Sequence, residues 1–179
     1  MNRYGSVIAP RTVRFERLLP GPIERVWSYL TDSEKRGTWL AKGNMDLRVD
    51  GPVELIFHNN QLTGRDEKAP PKYAQYGGEI HMSGRVIACE PPRLLTYTWA
   101  ENFGEASEVT FELEPQGKNV LLTLTHRKLG GRKDMLSVSG GWHTHLDILA
   151  DRLEGREPAP FWATHEKLES EYETRIPAE

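Results

Sequence analysis

The chain has 179 residues and a mass of 20.4 kDa, and its 23 basic against 26 acidic side chains leave a net charge of -3. That length suits a single domain spanning residues 1 to 179 with a core buried without staples, and the absence of any dense Lys/Arg run argues against a nucleic-acid partner. A lone Cys89, no stretch approaching the ~18 apolar residues of a membrane span and no signal-like N-terminus lead to the expectation of a soluble, cytoplasmic protein.

Arg11 to Leu18 alternates through Val13 and Phe15 and reads as a strand, stopped by Pro20-Gly21-Pro22. Pro22 suits the first turn of a helix, and Ile23, Val26, Trp27 and Leu30 recur behind it at helical spacing. Asp32 or Ser33 can cap a second short helix running to Trp39, weakened by Gly37. Period two then sets in: Met45, Leu47 and Val49, a turn at Asp50-Gly51, and Val53, Leu55 and Phe57 form an expected hairpin. His58 to Gly78 is polar and rich in Pro and Gly, about twenty residues of the kind usually functional or disordered, and is expected to be a mobile rim or lid.

Ile80, Met82, Gly84, Val86 and Ala88 face one way until Pro91-Pro92 breaks the strand. Strand character resumes at Leu94 to Trp99, and after a turn at Asn102 to Ala106 the residues Val109, Phe111 and Leu113 alternate with Thr110, Glu112 and Glu114. Val120 to Lys128 completes an antiparallel meander with one dry face. An amphipathic helix is expected to open at Trp142, with Trp142, Leu146, Leu149 and Leu153 on one stripe, His145 flanking it, and His143, Asp147 and Glu154 on the opposite side. In the extension from 154 to 179, Phe161, His165, Leu168 and Tyr172 repeat at helical spacing. That helix is expected on the outside of the domain or on a second copy, which leaves a homodimer open.

The order strand, two short helices, six strands, long helix resembles the helix-grip fold of the START-like (SRPBCC) superfamily. The segments VRFERLLPGPIERVWSYLTDSEKRGTWLA, GRVIACEPPRLLTYTWAE, VTFELEPQGKNVLLTLTHRKL and GGWHTHLDILADRLEG together look like its branch named after the activator of Hsp90 ATPase. The likeness covers Val13 to Leu153, the expected core. It implies an α+β fold in which a curved antiparallel sheet of about seven strands wraps a long C-terminal helix, leaving a cavity between them. Superfamily members bind lipids, sterols, polyketides or plant hormones, and a minority catalyse cyclisation or related chemistry. The co-chaperone behind the branch name is similar to this chain only in its C-terminal domain.

His126 follows Leu122 and Leu124 in register, so its imidazole should point inward. It is read as a hydrogen-bond partner for a ligand, as a general base, or as a core histidine satisfied from within. Trp142, Leu146 and Leu149 would roof the cavity with His145 beside them. Trp39, Tyr97 and Trp99 supply bulky aromatic surface that serves either as lining or as core, and Phe57 and Tyr76, at the two ends of the long loop, are expected at the rim. His143 and Asp147 stand four apart on a helix and read as a solvated pair, because a closed zinc site needs further ligands. The chain holds no GxSxG, GxxxxGK[ST], HExxH or CxxC pattern. No catalytic residue, metal or cofactor is assigned. The expected function is binding of a small apolar molecule (lipid-, polyketide- or aromatic-like) without turnover. The alternatives are a cavity enzyme of cyclase or hydratase type with His126 as base, and a module that stimulates an Hsp90-type ATPase.

Overall fold

Alternation in the sequence becomes an open antiparallel sheet of seven strands, seen in a computed structural model that describes residues 2 to 65 and 67 to 178. In chain order the elements are β1 (Ser6–Ala9), β2 (Thr12–Pro20), α1 (Ile23–Thr31), α2 (Ser33–Arg36), β3 (Pro52–His58), β4 (Glu79–Glu90), β5 (Leu94–Trp99), β6 (Ser107–Gln116), β7 (Asn119–Arg127), α3 (Arg132–Glu154) and α4 (Phe161–Arg175). The strands lie in the order β1-β2-β7-β6-β5-β4-β3. A meander from β3 to β7 is therefore closed by β2, and α1 and α2 carry the chain from β2 to the far edge. The register sets Leu124 of β7 opposite both Phe15 and Phe111, which stacks the alternating apolar residues of three strands on one face. Against that face α3 buries Trp142, Leu146, Leu149 and Leu153. The fold is the α+β helix-grip arrangement.

The structure departs from the sequence reading at four places. The strand expected over Met45 to Val49 does not form: only isolated bridges join Lys42 to Ile56 and Met45 to Val53, and Leu47 and Val49 are exposed. Asp50 turns with a φ of 65°, and a Cβ on Gly51 would meet the Asp46 carbonyl oxygen at 2.2 Å, so the chain doubles back too tightly for a paired strand. The missing strand is supplied by β1, whose residues are all exposed and so carry no burial pattern for alternation to reveal. Helix α3 begins at Arg132 rather than Trp142 and runs straight through Gly140-Gly141. Finally, α4 is built into the domain rather than lying on its outside, packing on α3 and burying Phe161, Trp162, His165, Leu168 and Tyr172. Among the described residues, no helix is long and apolar enough to cross a membrane.

The long loop is pinned by polar contacts. It contains two short 3-10 turns, Asn59–Gln61 and Pro71–Tyr76, and buries Leu62 and Thr63; Asp66 lies outside the described residues. Arg152 of α3 donates to the Leu62 carbonyl at 3.0 Å, and Trp162 Nε1 donates to Asn60 Oδ1 at 2.7 Å. Pro160 offers no side-chain cap to α4, so the first-turn N–H groups need an acceptor from elsewhere. Glu67 provides it, accepting from Phe161 N at 2.6 Å and Trp162 N at 3.0 Å.

Arg36 was invisible as a core residue in the sequence, yet it is 1% exposed. Its Nε donates to Ala41 O at 3.0 Å, Nη1 to Leu30 O at 3.3 Å and Thr31 O at 3.2 Å, and Nη2 to Gly43 O. One guanidinium thus gathers the end of α1 and the segment leading to β3. Substituting Arg36→Met leaves these carbonyls without donors and is expected to cost about 3 kcal/mol, read as a lowered urea midpoint. An unchanged midpoint would refute the stapling role.

Candidate ligand cavity

Below the open end of the sheet, bounded by β3, β4, α3, α4 and the long loop, lies a cavity of about 250 Å³. Each wall follows from local structure. Phe57 and Trp99 sit at the ends of β3 and β5, where their side chains leave the close-packed centre. Val138, Gly141, Trp142 and His145 are spaced three, four and seven apart on α3 and share one face. Phe161, Trp162 and His165 come from the first turns of α4, which Glu67 holds in place. The rings pack against one another at steep angles: Phe57 and Trp99 meet edge to face with centroids 6.0 Å apart, Phe161 and Trp162 edge to face at 4.8 Å, and Trp99 and Trp142 are tilted at 4.9 Å. Tyr76, 48% exposed, stands at the mouth.

The polar side chains of the wall include Asn59, whose buried Oδ1 has no hydrogen-bond partner among the described residues, Ser137, the hydroxyls of Tyr73 and Tyr76, and two histidines. His145 Nδ1 lies 2.8 Å from the Trp39 carbonyl oxygen, which can only accept, so the ring proton is on Nδ1 and Nε2 carries the lone pair. Burial pulls its pKa down to about 4, so the ring is neutral at physiological pH. Among the described residues Nε2 has no partner, and it is not sealed in the core. His165 is likewise pushed down to about 4 by burial and, secondarily, by Lys72. Its Nδ1 is 3.9 Å from Glu169 Oε2, beyond hydrogen-bond range, while the other Glu169 oxygen accepts from Lys72 Nζ at 2.9 Å. Among the described residues, no lysine, arginine, aspartate or glutamate lines the cavity. Its wall therefore carries no formal charge near neutral pH.

Five of the residues singled out from the sequence line this cavity: Phe57, Tyr76, Trp99, Trp142 and His145. Trp39, Tyr97, His126, Leu146 and Leu149 do not, and are packed in the layer behind it. His126 points inward as its register requires, but into the core, 0% exposed. Its Nδ1 accepts from Trp142 Nε1 at 2.9 Å, which leaves the proton on Nε2 to be donated to Ser107 Oγ at 2.6 Å. Burial lowers its pKa to about 3. Both nitrogens are spent, so His126 positions the Trp142 indole and has none left for a ligand. Trp39 acts at one remove as well, donating Nε1 to Tyr29 O while its own carbonyl orients His145.

His143 is not solvated either: it is 4% exposed, because α4 and the N-terminal segment cover the side of α3 expected to face water. Its Nδ1 pairs with the Tyr172 hydroxyl at 2.8 Å, and Nε2 lies 3.4 Å from Asp147, whose carboxylate also takes Arg3 and Arg17. This network ties β2, α3 and α4 together away from the cavity. No group of three or more metal-ligating side chains is found among the described residues. Sequence reasoning missed Phe161, Trp162 and His165 as lining, although Phe161 and His165 were part of the helical repeat that marked α4; nothing in that repeat told which neighbour it would face.

Comparison with known proteins gives this geometry a setting. The family model described as "Activator of Hsp90 ATPase homolog 1-like protein" matches residues 20–154. The solution NMR structure of a Bordetella parapertussis protein is similar over 99% of this chain and 92% of that one, with 46% identity and a TM-score of 0.83. The crystal structure of CalU16 from Micromonospora echinospora shares 24% identity and a TM-score of 0.69, covering 93% of this chain and 89% of that one. DynU16, "a putative protein in the dynemicin biosynthetic locus", shares 19% identity and a TM-score of 0.63, covering 83% of this chain and 49% of that one. The last two likenesses speak for the fold alone. No curated protein matches the chain. The matched residues run from the end of β2 to the last turn of α3, and on that match the chain belongs to the activator of Hsp90 ATPase homolog 1-like family of the START-like (SRPBCC) superfamily.

Proposed function

We propose that this protein binds a small, largely apolar molecule in the cavity beneath α3, without chemical turnover, and does so in the cytoplasm. The observation that carries this reading is an aromatic hollow left open in an otherwise closely packed interior, with no formal charge on its wall. At about 250 Å³ it lies just below the usual range of ligand pockets, so the ligand is compact. Burying ~200 Å² of apolar ligand surface would contribute about 5 kcal/mol before association costs.

The acid/base alternative finds less support. His126 has no free nitrogen, and a ring with a pKa of about 4, such as His145, is a feeble base near neutral pH. A chaperone-interaction module has no use for an internal hollow, whereas a ligand carrier requires one.

Gly141 supplies a direct test, since a Cβ built there meets nothing within 4 Å while the residue lines the cavity. Gly141→Leu should fill the space, weaken binding of naphthalene at least tenfold and leave the thermal midpoint unchanged or raised, because replacing a mid-helix glycine contributes up to about 1 kcal/mol. Binding is read from saturable shifts of the Trp99 and Trp142 indole N–H signals in NMR spectra. Undiminished binding in the variant, or a parent protein that binds neither naphthalene nor a substituted naphthalene, would sink the reading.

The buried histidines also predict how stability follows pH. His126, His145 and His165 are held at about 3, 4 and 4, below the ordinary 6.5, so between those values the unfolded chain binds more protons than the folded one. Stability is therefore full above pH 6.5 and is lost as pH falls toward 4, with a slope approaching ~1.4 kcal/mol per pH unit for each ring. Urea midpoints should fall steeply through this window, and His126→Phe should flatten the slope. A flat profile for the parent protein would mean that the folded rings take up protons freely.

A further inference from the structure

We propose that the cavity selects a neutral aromatic molecule carrying a hydroxyl group, whose hydrogen is donated to Nε2 of His145. The inference rests on the cavity-binding reading and adds the chemistry of the ligand. Its basis is a tautomer that the backbone imposes: the Trp39 carbonyl, 2.8 Å from Nδ1, holds the proton on that nitrogen and turns the lone pair of Nε2 outward. His165, also on the wall, has an unpartnered Nδ1 but, among the described residues, no backbone carbonyl to fix its tautomer, and two other buried histidines differ from His145 more sharply. His126 engages both nitrogens, with Ser107 and Trp142, and His143 engages Tyr172 and Asp147 on the far side of α3. His145 alone among these three retains a nitrogen for something from outside the protein.

The surroundings of Nε2 define the rest of the molecule. The His145 ring packs 5.1 Å from Phe161 and 6.3 Å from Phe57, so a ligand reaching Nε2 lies among aromatic faces and edges that favour a flat apolar body. An anion is disfavoured twice: no arginine or lysine lines the cavity to offset its dehydration, and the lone pair of Nε2 repels it. A cation finds no carboxylate among the described residues of the wall, and Lys72, 5.3 Å from the centroid of the Tyr73 ring, sets a positive charge beside one of the lining residues. A hydrocarbon of the same shape fits but leaves Nε2 desolvated and unpaired. A hydroxyl donor is the group that answers the site.

Naphthol, naphthalene and naphthoate are matched probes, and their affinities for the full chain can be followed by NMR titration. Naphthol is expected to bind at least about fivefold more tightly than naphthalene, the advantage of one satisfied hydrogen bond, with naphthoate weakest. His145→Phe should erase the difference between naphthol and naphthalene. Because that variant also removes the bond to Trp39, nitrogen NMR of histidine-labelled parent protein provides a second reading. The His145 Nε2 signal should be that of an unprotonated nitrogen, and it should move on addition of naphthol but not of naphthalene. Equal affinities for naphthol and naphthalene, preference for naphthoate, or a protonated Nε2 would overturn the proposal while leaving cavity binding intact. Failure of all three probes to bind would overturn both.

Discussion

The hydrogen bond from the Trp142 indole to His126 fixes where α3 lies on the sheet, and the cavity depends on it. A buried indole N–H must find an acceptor, and here the acceptor comes from β7 at 2.9 Å. His126 can accept on Nδ1 only because Ser107 of β6 takes its Nε2 proton at 2.6 Å. Two strands and the helix are thereby locked in one geometry by three side chains. The same indole packs edge-on against Phe111 in the core and tilts against Trp99 at the cavity. Trp142 is thus the boundary between filled and open interior.

The opposite wall is built differently. The first turn of α4 would leave its N–H groups unpaired after Pro160, and Glu67, far away in sequence, accepts from two of them. A carboxylate at the positive end of the helix dipole is favourably placed, and it links the long loop to the helix that carries Phe161, Trp162 and His165. This wall lies beyond residues 20–154, where the family model matches, although the Bordetella parapertussis protein is similar along 99% of the chain. The shared core thus supplies the sheet and roof, and the C-terminal extension supplies the side that closes the space.

How much of this was legible follows from which forces leave a local trace. Alternation gave β2, β3, β4, β6 and β7, because one face of each is dry and the burial period is close to two, whereas β5 is buried on the consecutive residues Leu95 to Tyr97. It failed for β1, which is exposed throughout, and at Met45 to Val49, where three apolar residues alternate but Asp50 and Gly51 turn the chain too sharply for pairing. The inward direction of His126 was readable from register; its engagement by Ser107 and Trp142 was not, since both partners are set by tertiary packing. His143 was assigned to water because a helical wheel knows one buried face, whereas α3 is covered on a second side by α4. The cavity residues on α3 were partly legible, but the role of Trp39 as the group that orients His145 arises from a backbone carbonyl and leaves no sequence signal at all.

The two glycines of α3 show how neighbouring positions in one helix serve separate ends. Successive residues of an α-helix point ~100° apart, so Gly140 and Gly141 face different neighbours. A Cβ on Gly140 would lie 3.5 Å from the Cβ of Glu169, placing this turn directly beneath α4. At Gly141 the added Cβ would meet nothing within 4 Å, and the space it would enter belongs to the cavity. Each glycine costs the helix up to about 1 kcal/mol relative to alanine. At Gly140 an added Cβ would make an ordinary van der Waals contact with α4, so that position faces protein. At Gly141 no protein atom occupies the vacated volume, so the loss in helix stability is matched by no contact within the chain. That open space beside Trp142 and His145 is the volume into which the proposed ligand would fit.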